Sequence, residues 1–177
     1  MYQWLKIHQD PHTGLGMSFE GDKDIANWAF IYDQALLIQV YSNFLDFERA
    51  KKILDFFAKD AKKENGWFFN AYYVNDGSPA EHVTHVGPNI WVGLAIMQYI
   101  QKTQDRSYLG LAENIAQTII NLQNTDADGG IRGGPSVEWY STEHNLDAYA
   151  FFNMLFKVTG KQIYRLAQEK TINWLIL

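Results

Sequence analysis

The chain has 177 residues, enough for one domain with a substantial core. With a mean hydropathy of −0.27, no apolar run near the ~20 residues of a membrane span and no cysteine, it excludes transmembrane helices, disulfides, thiolate metal sites and a cysteine nucleophile. A net charge of −5 without a basic block argues against a nucleic-acid partner. Aromatic residues are the outlier at 15%, more than a core alone requires.

Met1 to Lys6 lack the basic-then-apolar order of a secretory leader, which makes the cytoplasm the default location. A long segment then runs from Asp10 to Ala26. Its Glu20 and Asp22 flank Gly21, a turn pattern. A 3.6-residue apolar period starts near Asn27 and lasts to about Ser42, with Ile31, Ala35, Ile38 and Tyr41 on one stripe. Trp28 stands at its start, and Asp33 lies one turn inside an otherwise apolar helix. A second helix is expected from about Asp46 to Lys63, with lysines and acids interleaved on a solvated face.

The segment Asn65–Pro88 carries Trp67, Phe68, Phe69, Tyr72, Tyr73, His82 and His85. Trp67 to Val74 reads as a short extended stretch, and the aromatics in this loop point to a stacking platform. Gly87-Pro88 marks the entry to a third helix, about Asn89–Lys102, bearing Trp91. A fourth helix spans about Ser107–Leu122.

Next comes Asn124-Thr-Asp-Ala-Asp-Gly-Gly-Ile-Arg-Gly-Gly-Pro135. Asn124, Asp126 and Asp128 match the opening of a calcium loop, but Pro135 stands where the closing acid belongs, so a tight Asp-Gly turn is favoured over a metal. Arg132 is available to pair with an acidic group. Glu138, Trp139 and Tyr140 lead into a fifth helix, about Thr142–Val158, capped by Ser141 or Thr142. Glu143 and Asp147 lie four apart on one face of it, and two carboxyls that close raise one pKa. His144 stands between them. A sixth helix starts near Lys161.

Three hairpins follow, at about 27–64, 88–123 and 142–177, and aligning Ala35, Ala95 and Ala150 gives a repeat. Links within hairpins are short, whereas segments before the odd helices are long. If the hairpins stand side by side, every long segment lies at one rim, where most chemically interesting residues also fall.

This pattern resembles the six-hairpin glycosidase class of (α/α)-toroids. The motifs that carry the resemblance are Ser18-Phe-Glu-Gly-Asp22, Tyr32-Asp-Gln-Ala35, His85-Val-Gly-Pro-Asn-Ile-Trp91, Asp128-Gly-Gly-Ile-Arg-Gly-Gly134 and Ser141-Thr-Glu-His-Asn-Leu-Asp147. It implies an all-α fold in which residues 1–177 form half of an (α/α)6 toroid. It implies a carbohydrate-active enzyme, with glycoside hydrolysis as the expected reaction and an oligo- or polysaccharide as ligand. Glu143 would be the acid and Asp33 the base. Trp28, Trp67, Trp91, Trp139 and Tyr140, with Tyr72, would offer aromatic faces to sugar rings. His85, Arg132, His144 and Asp147 would bind hydroxyls. No cofactor or metal is expected.

Such a toroid has six hairpins and this chain has three, so a further half or a second copy is expected to close the ring. Three competing readings share these residues. One is a sugar epimerase using His85 and His144. Another is a toroid similar to terpenoid cyclases, and the third is a non-catalytic helical repeat that binds glycans or protein.

Overall fold

A computed structural model describes residues 1–176. In chain order the elements are α1 (Tyr2–Ile7), β1 (Trp28–Phe30), α2 (Ile31–Asn43), α3 (Phe47–Asp55) running into a π-helical turn (Phe56–Asp60), β2 (Lys63–Glu64), β3 (Trp67–Phe68), β4 (Ala71–Tyr73), β5 (Pro79–Glu81), α4 (Val86–Thr103), α5 (Leu109–Gln123), α6 (Thr142–Thr159) and α7 (Gln162–Leu175). Three antiparallel hairpins result, α2–α3, α4–α5 and α6–α7. Helix α4 packs against α2 on one side and α6 on the other. The three form an inner row, and α3, α5 and α7 form an outer one.

Each hairpin turns on a residue with left-handed backbone, namely Leu45 (φ 61°), Gln104 (φ 62°) and Gly160 (φ 69°). In α4 and α6 that residue is the C-cap, and its N–H donates to the carbonyl four residues back. The core between the rows is dominated by fully buried Ile38, Tyr41, Ile53, Leu54, Phe57, Ile90, Phe151 and Phe152. At the outer row, Tyr108 donates to Asp55 at 2.7 Å and Lys51 pairs with the same carboxyl, joining the first two hairpins.

The long segments are not free coil. β1, β4 and β5 form a three-stranded antiparallel sheet in the order β1-β4-β5, and β2 pairs with β3 through a tight Asn65-Gly66 turn. Trp28 therefore lies on a strand, paired with Tyr73, rather than on the first helix. The expected second helix gives way to the π turn at Phe56 and ends at Asp60.

A repeated device fixes these segments to the inner helices. The N-caps of α2, α4 and α6 are Phe30, His85 and Ser141, all with extended backbone. Four residues after each cap stands a buried amide: Gln34, Asn89 and Asn145. Each exchanges two hydrogen bonds with one backbone unit of the preceding loop. Gln34 clamps Gly16, Asn89 clamps Phe68 and Asn145 clamps Ile131, at 2.8–3.2 Å. Asn89 and Asn145 also donate to the carbonyl of their own N-cap residue. A buried backbone pair that lacks a strand partner is thereby satisfied. These amides set the register of the repeat. Ala35, Ala95 and Ala150 lie five, ten and nine residues beyond the caps and are not equivalent positions.

Candidate functional site

The N-termini of α2, α4 and α6 open on one rim, and the side chains gathered there come from all three hairpins. Ser141 caps α6 by accepting from the His144 N–H at 3.3 Å. This fixes the first turn, so Glu143, His144 and Asp147 project from a rigid helix end. Across from them, His85 occupies the N-cap of α4. Trp139 lies near both imidazoles, with ring centroids 6.4 Å from His85 and 5.8 Å from His144. Its indole rests on Gly133, where a Cβ would come within 2.1 Å of the ring, and 48% of Trp139 stays exposed. An aromatic face held on backbone and open to solvent is a ready platform for a sugar ring.

A second line of contacts crosses the inner row. Tyr32 of α2 packs on Trp91 of α4 with centroids 5.1 Å apart, and the Trp91 indole N–H donates to the Asp147 carboxylate of α6 at 2.8 Å. Tyr32, Trp91 and Asp147 thus link the three hairpins at the rim.

The electrostatics separate the groups. Burial pushes the Asp147 carboxyl above its usual range; the Trp91 bond opposes this and the nearby Glu143 charge adds to it. Burial pushes the His144 imidazole down; Glu143 opposes this, and His85 contributes to it. Burial raises the Tyr32 phenol, as do the charges of Glu143, Asp147 and Asp33. Among the described residues, the buried Nδ1 atoms of His85 and His144 have no hydrogen-bond partner. The arrangement gathers two carboxyls and an imidazole within one patch, with burial disfavouring the charged forms of Asp147 and His144.

The remaining expected residues lie elsewhere. Asp33 lines a groove with Trp4, Met17, Leu36 and Val40. Trp28 is half-buried between Phe30 and Tyr73. Arg132 and Tyr140 form an antiparallel bridge whose partner pair is Gly133 and Trp139, so their side chains point away from the histidines. Arg132 donates to Thr125 at 2.9 Å, while Tyr140 stacks on Trp174 and donates to Asp126. Asp126 also accepts from the Asp128 N–H, as a tight turn requires, and among the described residues no acidic or histidine cluster is placed to hold a metal ion.

Two readings need correction. Trp67 is 5% exposed and Tyr72 fully buried, packed against Phe56 and Phe69. The Tyr72 hydroxyl donates to the Lys62 carbonyl at 2.5 Å. Neither ring has a face free for a ligand, because the β-strands fold this aromatic segment into the core. Conversely, Tyr32, Gly87 and Gly133 belong to the site although composition gave them no chemistry. Their signals were the Tyr32-Asp-Gln-Ala35 and Asp128–Gly134 motifs and the Gly87-Pro88 entry to α4.

No family model matches the sequence, and no curated protein does. Solved structures do match in fold. An unsaturated glucuronyl hydrolase specific for heparin aligns at TM-score 0.77 and 16% identity, over 96% of this chain and 52% of its own. For a cellobiose 2-epimerase from Bacillus thermoamylovorans B4167 the values are 0.79, 11%, 98% and 51%. A family 8 endoglucanase from Klebsiella pneumoniae gives 0.67, 13%, 96% and 56%. The chain thus spans about half the length of each. Its three hairpins have the fold of one half of an (α/α)6 toroid.

Proposed function

We propose that this rim is one wall of a carbohydrate-active acid–base centre, and that its reaction is glycoside hydrolysis. The supporting observation is the Glu143–Asp147 pair beside an exposed Trp139, with Asp147 pushed towards its protonated form. Hydrolysis needs a carboxylic acid to protonate the glycosidic oxygen and a carboxylate to activate water across the bond. Asp147 suits the first task better than Glu143, the acid expected from sequence, because burial raises its pKa and the Glu143 charge adds to this. Asp33, on the α2 side of the rim, is the base we propose. Trp139 would carry the sugar ring, and His85 and His144 its hydroxyls. Structural neighbours include proteins named as a glucuronyl hydrolase and an endoglucanase.

A second reading has its own observation. Among the described residues, His85 and His144 present buried, unpartnered Nδ1 atoms near Trp139, and burial lowers the His144 pKa. A pair of imidazoles suits removal and return of a proton at a carbon next to a carbonyl. Isomerase and epimerase names among the neighbours agree with this chemistry.

Product analysis of the full-length protein on a glycan panel in D2O decides between them. Hydrolysis yields new reducing ends, and Asp147→Asn lowers the rate about 100-fold or more. Altered stereochemistry with deuterium at carbon and no new reducing end sinks the hydrolase reading. Full activity in Asp33→Asn removes Asp33 from the mechanism.

A further inference from the structure

We propose that Gly87 is a positioning residue for His144, its missing side chain being what lets the imidazole tip seat on the first turn of α4. The inference rests on the reading of the rim as the functional site. Gly87 is the second residue of α4 and is buried. It is not among the residues with positive φ, so the backbone does not call for glycine there. Helix propensity disfavours it, since glycine is poorer than alanine inside a helix. Space is the remaining reason. A Cβ at position 87 would lie 2.3 Å from Nε2, 2.5 Å from Cδ2 and 2.9 Å from Cε1 of His144. Those three atoms are the distal edge of the ring, so the imidazole meets α4 tip first.

The place it meets has chemical consequences. The first-turn N–H groups of a helix have no intrahelical acceptor, and the positive end of the dipole lies there. Protonation of an imidazole whose tip lies against it is disfavoured. The other charged groups facing His144 are Glu143, on its own helix, and His85 at the cap of α4. Alanine at 87 pushes the tip off this seat and towards water.

A purely structural role predicts something different, and the same helix supplies the control. Gly93 also faces α6, and a Cβ there would come within 2.4 Å of the Phe151 ring, in the core. Gly93→Ala therefore disturbs α4–α6 packing without touching the site.

The test uses full-length protein with 13C-labelled histidine. Gly87→Ala is expected to move the His144 titration upward, towards that of an ordinary imidazole, whereas Gly93→Ala leaves it in place. Both variants lower Tm. Adding His144→Ala to Gly87→Ala restores the Tm lost, because the clashing ring is gone; this arm holds even if the single variant folds poorly. In the proton-transfer reading, where His144 is catalytic, turnover of Gly87→Ala is expected to fall by about 100-fold with KM little changed; in the hydrolase reading, where it binds a hydroxyl, KM rises instead. An unmoved His144 titration, an equal shift in Gly93→Ala, or no recovery of Tm in the double variant would overturn the proposal. A shifted titration with undiminished turnover leaves the positioning intact and refutes the catalytic reading of His144.

Discussion

Asp147 meets two opposed demands. Its carboxylate accepts the Trp91 N–H, yet its burial beside Glu143 penalises the charge. Because its folded pKa is raised, it supports the fold fully below the ordinary carboxylate range and loses that support as pH rises through the folded value. Asparagine keeps an acceptor for Trp91 and carries no charge. Asp147→Asn is therefore expected to gain stability relative to wild type as pH increases from 4 to 8, measured by urea unfolding across that range. A stability difference from wild type that stays constant across this range would contradict this account. His144 works in the opposite sense. Its pKa is depressed, so its contribution is full above the ordinary imidazole value and is lost as pH falls below it. His144→Gln is expected to flatten that part of the profile. At this scale the sequence was a partial guide. Glu143, His144 and Asp147 were legible because a helix start does not need them all. The burial of Trp67 and Tyr72 was not, since a run of aromatics carries no alternation that tells the core face from the open one.

The elements are held by clamps rather than by propensity. Gln34, Asn89 and Asn145 each substitute for a strand partner, tying a long loop to the helix that follows it. Truncating one removes two or more hydrogen bonds and leaves a buried N–H and C=O unpaired, at about 1–3 kcal/mol per orphaned group. Asn89→Ala and Asn145→Ala are each expected to cost about 3 kcal/mol on this basis, read from denaturant midpoints of the full-length protein. Asn145→Ala also frees the loop that carries Trp139, so ligand affinity should fall with it. A cost below about 1 kcal/mol would mean that the loops find other partners. Helices α2 to α7 were readable from their 3.6-residue period. The repeat register was not, because small apolar residues such as Ala35, Ala95 and Ala150 recur on every buried stripe. The register lies in the polar positions, where a lone Asn or Gln in sequence looks unremarkable. The extended stretch expected at Trp67–Val74 holds β3 and β4, whereas the other two- and three-residue strands and the six-residue α1 are too short to show a period.

At the scale of the whole molecule, three hairpins place three helix N-termini on one rim, and the spacing of long and short links announced that arrangement before any contact was known. Contacts between rim residues were beyond the sequence. Tyr32, Trp91 and Asp147 are each at least 56 residues from one another, and Gly87 meets His144 only through α4–α6 packing. The central claim is that this shared rim is where a sugar is bound and transformed. The measurement that addresses it most directly is a crystal structure of the full-length protein soaked with an oligosaccharide, using Asp147→Asn to slow turnover. The account predicts a sugar ring stacked on Trp139, with His85, Glu143, His144 and residue 147 within hydrogen-bond reach of it. A sugar bound away from Trp139, with none of these groups in contact, would contradict it.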